Sequence, residues 1–240
     1  MEVDVQLLPM DPANQTLSNR LVVVIDVLRA TSVIVHAISQ GATEIIPVVT
    51  VEEAFRLAKT FPGGTTLLGG ERGSRRIPGF DFGNSPREYV AEKVRGKRVI
   101  LTTTNGTRAF HAVLDAGEIV VASFFNIGVA SQRCYGLGKD VLLFLSGDEG
   151  KFSLEDAVCG GMVIDHLIRK DEKLIHLADG ASAAYYLYQQ FKQNLIEAFR
   201  VSHHGKDLIE KGLEEDLVDC AQVDITDVVP VFREGAIRGS

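Results

Sequence analysis

Short runs of apolar residues, many of them β-branched, alternate along the chain with stretches whose apolar positions recur at helical spacing. Such an alternation is typical of a sheet that is covered by helices on both faces. It continues from Arg20 to about Ile168 and predicts an α/β fold, a three-layer α/β/α sandwich with a largely parallel or mixed central sheet. The predicted strands are residues 21–25, 44–49, 65–68, 98–101, 118–122 and 141–145, with a last candidate at 228–232.

Helices are predicted between these strands. Residues 31–40 form one, ended by a glycine, and in residues 51–58 the apolar side chains lie on one face of a helix. Ser85 is followed by a proline, and the two residues together predict the start of a helix that the Ser85 hydroxyl caps. Ser153, with an acid three positions later, resembles a capping box. Residues 171–225 are mostly helical in composition.

Composition limits the class of protein. The chain has 240 residues, 45% of them hydrophobic, which is enough for a single α/β domain over residues 1–240 with no need of disulfides. The three cysteines are odd in number and form no CxxC pair, so they favour a reducing cytoplasm. The N-terminus carries acids where a signal peptide carries bases, and no apolar run approaches the roughly 20 residues of a membrane span. We therefore expect a cytoplasmic protein without a membrane partner.

The formal net charge of −7 argues against a nucleic-acid partner, because phosphate backbones are bound by clusters of Lys and Arg. A small anionic metabolite remains compatible with this charge. Its site would need a local concentration of arginine, or a bound cation, to offset the negative field of the protein. The apolar residues of the C-terminal helical part are also compatible with a homodimer surface.

Polar residues gather directly after four of the predicted strands, at 26–32, 69–74, 102–108 and 146–150. Ligands of open α/β sheets bind outside the carboxyl ends of strands, so these junctions are the candidate site. The run TTTNGTR at 102–108 offers hydroxyls, backbone N–H groups and an arginine, which together suit an anion. The alternative is that its threonines only end a strand and its Asn-Gly pair only makes a turn.

Carboxylates at these junctions offer the hard oxygen ligands that Mg²⁺ prefers. Asp26 could hold a metal, act as a nucleophile or only cap the next helix. Glu155 and Asp156 could instead only offset a helix macrodipole. Arginines suit a phosphoryl group because they bind it through two planar donors, and Arg29 and Arg108 are the preferred candidates.

Several common catalytic motifs are absent from the sequence. It has no GxxxxGK[ST] or GxGxxG loop, no HExxH and no GxSxG. No cysteine is followed six positions later by arginine, and Leu28 stands where a haloacid-dehalogenase-like phosphatase would have its second Asp. His203 and His204 are adjacent and should point to different sides, so we interpret them as exposed or partly packed rather than as a metal pair.

Four ordered motifs, VVVIDVLRATS, LLGGERGSRRIPGFDFGNSPREY, ILTTTNGTRA and SGDEGKFSLEDAVCGG, resemble the 2-phosphosulfolactate phosphatase family. The resemblance covers about residues 21–161. It implies an α/β/α enzyme, a phosphoric monoester hydrolase that depends on Mg²⁺ and converts (R)-2-phospho-3-sulfolactate to 3-sulfolactate and phosphate, as in coenzyme M biosynthesis.

The motifs lead to a residue-level hypothesis. Asp26, Arg29 and Arg108 are expected to be catalytic, and Asp26, Glu71, Glu155 and Asp156 are expected to hold Mg²⁺. Two alternatives stay open: a phosphatase for another small phospho-hydroxy acid, and a non-catalytic protein that binds an anionic metabolite. Whether Asp26 attacks phosphorus or a metal-bound water does is also open. The expected substrate-binding residues are Thr31, Arg72, Asn84, Thr103, Thr104, Asn105, Gly106, Thr107, Asn126 and Ser146.

Overall fold

The computed structural model describes residues 1–9 and 17–240, and in them an eleven-stranded sheet is flanked by helices. The strands are β1 Glu2–Gln6, β2 Leu21–Ile25, β3 Glu44–Pro47, β4 Thr66–Arg72, β5 Arg75–Arg76, β6 Arg98–Thr102, β7 Glu118–Ala122, β8 Val141–Leu145, β9 His176–Leu177, β10 Pro230–Arg233 and β11 Ala236–Gly239. The helices are α1 Ala30–Ser39, α2 Val51–Ala58, α3 Ala91–Val94, α4 Gly106–Ala112, α5 Ile127–Leu137, α6 Leu154–Lys170, α7 Asp179–Phe191, α8 Leu195–Val201, α9 His203–Glu210 and α10 Glu214–Cys220.

The sheet is mixed, with the strand order β5-β4-β6-β3-β11-β10-β7-β2-β8-β1-β9. Strands β7, β2, β8, β1 and β9 are mutually parallel, and so are β3, β6 and β4. Between these two groups lies the hairpin β10–β11, which is antiparallel to its neighbour on each side. The mixed sheet agrees with the sequence prediction.

Both faces of the sheet are covered, as the near-continuous apolar strands require. In β2, Leu21, Val23 and Ile25 pack on one side, whereas Val22 and Val24 pack on the other. The first side is covered mainly by α5, α6 and α7, and the second by α1 and α4. This arrangement confirms the layered α/β/α sandwich. Within the described residues, none of the helices combines the length and apolar character of a transmembrane span.

Four strands, β1, β5, β9 and β11, were missed by the sequence analysis. Strand β1 pairs with β8 through main-chain bonds, and only Val3 and Val5 of its short alternating segment enter the core. Strands β9 and β11 are two and four residues long, too short for a clear period. Such segments become strands because they pair with a neighbouring strand. That pairing is a tertiary contact, and the local sequence does not indicate it. One sheet takes strands from both ends of the chain, and the assignment of residues 1–240 to one domain stays a prediction.

Two predicted boundaries were wrong. Strand β4 continues through Arg72 and turns back into β5, so the strand predicted to end at residue 68 is part of a hairpin. Its turn residues Gly73 and Ser74 both have positive φ, as two-residue hairpin turns require. Ser85 does not cap an α-helix: only a three-residue 3-10 helix follows, and its hydroxyl donates instead to Asp216.

Close packing of α6 against α7 depends on Gly161. A Cβ at this position would lie 2.1 Å from the carbonyl oxygen of Ala184 and 2.6 Å from Cβ of Tyr188. We expect Gly161→Ala to lower the free energy of unfolding by about 1–3 kcal/mol, because backbone must move to admit the methyl group. Urea denaturation measures this change.

Gly160 provides the matched control on the same helix. A Cβ there would meet only side-chain atoms, at 3.4 Å or more, which is ordinary contact. Gly160→Ala should therefore stabilise the protein by up to about 1 kcal/mol through helix propensity. Equal effects of the two substitutions would contradict the packing argument.

Candidate active site

A cavity of about 140 Å³ lies where the ends of β2, β4, β6 and β8 meet helix α9. It is smaller than the roughly 300–1,000 Å³ of drug-sized pockets, which suits a small metabolite. Its lining consists of Asp26, Leu28, Arg29, Glu71, Gly73, Ser74, Asn84, Thr103, Thr104, Asn105, Asp148, Glu149, His203, His204, Asp207 and Lys211. All four junctions of the sequence analysis contribute to it.

Asp26 follows β2 and lies buried in the cavity wall. Its Oδ1 accepts a hydrogen bond from the backbone N–H of Ala30 at 3.2 Å, so it does cap the start of α1. Burial, with a smaller contribution from the neighbouring charge of Glu71, raises the pKa of this carboxyl to about 6. A residue that only caps a helix needs neither burial nor a second acid, here Glu71, beside it. A buried carboxyl with a raised pKa is typical of a functional site.

Glu155 and Asp156 open helix α6 next to Asp26, behind the cavity wall. Burial raises the pKa of Glu155 to about 7 and holds the pKa of Asp156 well above its usual range, with repulsion from Asp26 contributing to both. Asp156 Oδ1 accepts from the backbone N–H of Val27 at 2.9 Å. Acids that only offset a macrodipole are normally solvated, whereas these form a buried cluster with Asp26.

Glu71 connects two junctions through its carboxylate. Its Oε2 accepts from the backbone N–H of Ser74 at 2.8 Å, and its Oε1 accepts from that of Thr104 at 2.8 Å. The side chain is only 7% exposed. Glu71 therefore holds the hairpin turn of β4–β5 against the end of β6 and places its own charge in the cavity.

The threonine-rich junction after β6 has an internal role as well as an exposed face. Thr103 and Thr107 are joined by reciprocal hydrogen bonds between hydroxyls and backbone N–H groups at 3.2 and 3.3 Å. Thr104 and Asn105 line the cavity, and Asn105 Oδ1 accepts from the N–H of Glu149 at 3.2 Å. Gly106 approaches Asp26 so closely that a Cβ would lie 2.5 Å from its Oδ2.

Some predicted site residues lie outside this cavity. Thr31 exchanges hydrogen bonds with the backbone of Asp26, and Ser146 donates to Asp156 at 3.4 Å. Asn126 donates to the carbonyl oxygens of Val121 and Val228.

Two predicted arginines are also displaced from the cavity. Arg72 donates to the carbonyl oxygens of Glu71 and Val49 and to the hydroxyl of Thr102. Arg108 is exposed and lines a neighbouring cavity. Roles in substrate binding or catalysis for the residues outside the cavity stay predictions.

Helix α9 was missed as a part of the site. His203 Nδ1 lies 2.8 Å from Asp148 Oδ2, and His204 Nδ1 lies 3.7 Å from Asp148 Oδ1. The two rings do differ in exposure, at 82% and 20%, as the sequence analysis expected of adjacent residues. Burial lowers the pKa of His204. The available signal was the spacing of His204, Asp207 and Lys211, which places three ionisable groups on one helix face.

Comparisons with known proteins identify the family of the chain. The family model described as 2-phosphosulpholactate phosphatase matches residues 7–235. A protein of Caldanaerobacter subterraneus subsp. tengcongensis is 42% identical over 95% of this chain and 93% of its own. One of Symbiobacterium thermophilum is 37% identical, over 94% and 97%. One of Clostridium acetobutylicum is 38% identical, over 99% and 100%.

Each of these three relatives is named "Probable 2-phosphosulfolactate phosphatase". The family match spans the ends of all four strands that form the cavity. The sequence motifs, the matched family and the relatives therefore agree, and the chain belongs to the 2-phosphosulfolactate phosphatase family, a family of phosphoric monoester hydrolases.

Proposed function

We propose that this chain is a Mg²⁺-dependent phosphatase that hydrolyses (R)-2-phospho-3-sulfolactate to 3-sulfolactate and phosphate, a step of the coenzyme M biosynthesis type. The observation that carries the proposal is one cavity in which a buried carboxylate, Asp26, lies beside Arg29 and the Asn105 side chain, both of which can donate to an anion. Phosphoryl transfer requires this combination of a cation site with donors aimed at the phosphate.

The charge of the cavity supports a bound cation. Of its lining residues, Asp26, Glu71, Asp148, Glu149 and Asp207 are acids, whereas only two side chains, those of Arg29 and Lys211, are permanently positive. A substrate with phosphate, sulfonate and carboxylate groups would be repelled by this surface unless a cation offsets it. Mg²⁺ fits the donors, which are oxygens.

The arrangement of the acids is compatible with how proteins hold Mg²⁺. In the part of the chain that the structure describes, no three His, Cys, Asp or Glu side chains are positioned together as a complete metal cage. Mg²⁺ is usually held by one or two carboxylates together with waters and substrate phosphate, so a complete cage is not required. Asp26 and Asp156, with Glu71 and Glu155 near them, would hold it here. Bound Mg²⁺ offsets negative charge on the phosphoryl oxygens.

The residues of the chain then take distinct roles. Arg29, nearly fully buried, donates to the phosphoryl oxygens and offsets the charge that spreads over them in the transition state. The Asn105 side chain, which also lines the cavity, orients the same group. Asp26 is the charged carboxylate at the reacting centre. It serves either as the nucleophile or as the group that positions an attacking water.

The test is phosphate release by metal-stripped protein from racemic 2-phosphosulfolactate and from 2-phospholactate, each with and without added Mg²⁺. We expect release from phosphosulfolactate only with Mg²⁺. Release that is equally fast without the metal would contradict the Mg²⁺ role. Intact ligand after long incubation with Mg²⁺ would contradict the phosphatase and favour a binding protein.

A second candidate is a phosphatase for a small phospho-hydroxy acid without a sulfonate. One observation favours it: Arg72, an arginine expected to bind the substrate, lies outside the cavity and donates to Val49 and Thr102. If no cation in the site binds the sulfonate, its loss from the substrate should cost little. Equal rates on phosphosulfolactate and phospholactate would support this candidate. A cytoplasmic location and a homodimer stay predictions.

The carboxylate cluster predicts an unusual pH dependence of stability. Burial raises the pKa of Asp26 to about 6 and that of Glu155 to about 7, so the folded state holds these protons more tightly than the unfolded state. This stabilisation is complete below the unfolded pKa values, near 4, and is lost as the pH rises to about 7. We expect metal-stripped protein to become less stable over that interval and Mg²⁺ to restore the stability at neutral pH.

Thermal melts across this pH range, with and without Mg²⁺, measure the effect. Asp156→Asn is the matched variant, because its amide oxygen can still accept from the Val27 N–H while the charge is removed. Its melting temperature should fall less with rising pH than that of the wild type. Parallel profiles for the two proteins would contradict the electrostatic origin.

A further inference from the structure

The Arg29 guanidinium is held from two sides, but its Nε has no partner in the described structure. Its Nη1 forms an ion pair with Asp216 of α10, and its Nη2 donates to the carbonyl oxygen of Ser74 at 3.3 Å. Its Nε is buried and has no partner among the described residues. A buried N–H without a partner is costly, so a ligand atom is expected to accept from it.

Asp216 uses both of its carboxylate oxygens. Oδ2 accepts from Arg29, and Oδ1 accepts from the hydroxyl of Ser85 at 2.5 Å. Both members of the ion pair are only 3% exposed. Ser85 follows Asn84, which lines the cavity and has a buried Oδ1 without a partner in the described structure. One carboxylate therefore holds Arg29 directly and holds Asn84 through its chain neighbour Ser85.

The ion pair of Asp216 with Arg29 is not needed to hold α10 in place. Arg87 already ties the same helix to the same loop, through an ion pair with Glu215 and another with Asp219 at 2.5 Å. These pairs lie closer to solvent, whereas a buried pair pays a large desolvation penalty and is a weak source of stability. The buried pair is better explained by what it does to the orientation of Arg29.

We propose that Asp216 is a positioning residue for Arg29. This proposal rests on the function proposed above. It does not line the cavity. Through its two oxygens it holds the guanidinium of Arg29 and the loop that carries Asn84 in the orientation that binds the phosphoryl group. Helix α10, remote in sequence from every junction of the sheet, thereby contributes to the site.

The kinetic test compares Asp216→Asn with Asp219→Asn, which removes an ion pair from the same helix without touching Arg29. We expect Asp216→Asn to lower kcat/KM for phosphate release by at least about tenfold, mainly through kcat. Asp219→Asn should stay within about threefold of wild type, as loss of an exposed pair normally does. Wild-type kinetics in Asp216→Asn would overturn the proposal.

A double-mutant cycle separates positioning from general structural damage. In an Arg29→Lys background, Asp216→Asn should change the rate by less than about threefold, since the group that it positions is gone. If it costs the same factor as in the wild type, Asp216 acts through stability and the proposal is overturned.

A readout that needs no substrate separates this inference from the proposed function. The Arg29 Nε–H resonance in a ¹H–¹⁵N NMR spectrum, assigned by its loss in Arg29→Lys, should shift or broaden in Asp216→Asn and stay in place in Asp219→Asn. An unmoved resonance in Asp216→Asn overturns the proposal. If the wild type releases no phosphate, the proposed function fails, and this signal still decides the orientation of Arg29.

Discussion

Asp26→Asn should lower Mg²⁺-supported phosphate release by at least about 10³-fold, as removal of a catalytic carboxylate typically does. The amide oxygen of Asn can still accept from the Ala30 N–H, so the start of α1 is preserved. The variant lacks the charge needed either for attack on phosphorus or for holding the metal. Steady-state phosphate release measures the loss, with Asp115→Asn on the surface as the control. A rate above about a tenth of the wild type would contradict a central role for Asp26.

The same variant should be more stable than the wild type when metal is absent. The pKa of Asp26 is raised from 3.8 to about 6, which corresponds to about 3 kcal/mol that the ionised carboxyl costs the folded state at neutral pH. Urea denaturation of metal-stripped proteins at pH 7 measures the gain. Loss of activity together with loss of stability would instead indicate a damaged fold.

Gly106→Ala should lower kcat/KM by on the order of 100-fold, as misplacement of a catalytic group by about 1 Å does. Its Cβ would lie 2.5 Å from Oδ2 of Asp26 and 2.4 Å from Cβ of Ala30, so the Asp26 carboxylate or helix α4 must move. Steady-state kinetics on the purified variant measure the effect.

The control for this substitution is Gly136→Ala in α5, where nothing lies within 4 Å of the new methyl group. It should keep wild-type kinetics and gain slightly in stability through helix propensity. Kinetics of Gly106→Ala that match those of Gly136→Ala would show that the approach of α4 to Asp26 does not constrain the reaction.

The parts of the fold and site that could be predicted from the sequence are those encoded locally. Strands β2 and β8 are continuous apolar runs, and β7 is one after its first residue, Glu118, so their bounds followed directly from the sequence. The rule that ligands bind beyond strand ends then identified Asp26, Glu71 and the Thr103 junction. These residues do line one cavity.

The parts that could not be predicted depend on how distant segments pack. Asp148 meets His203 and Arg29 meets Asp216 across large separations in sequence, and no local pattern specifies which helix covers the cavity. Arg72 follows an apolar run too, but the strand continues through it, and its guanidinium donates to backbone oxygens rather than lining the cavity. A residue that directly follows an apolar run can be predicted to lie near the site. The direction in which a long side chain points is set by tertiary contacts and cannot be predicted in this way.

The hairpin β10–β11 has a consequence for how the protein is made. It is formed by residues 230–239, yet it lies between the two parallel groups of the sheet. During synthesis, β2, β7 and β8 can assemble as one half and β3, β4 and β6 as another, with their inner edges unpaired. The halves become one sheet only when this hairpin has left the ribosome. Until then each nascent half presents an open edge, which is the feature that chaperones protect from aggregation.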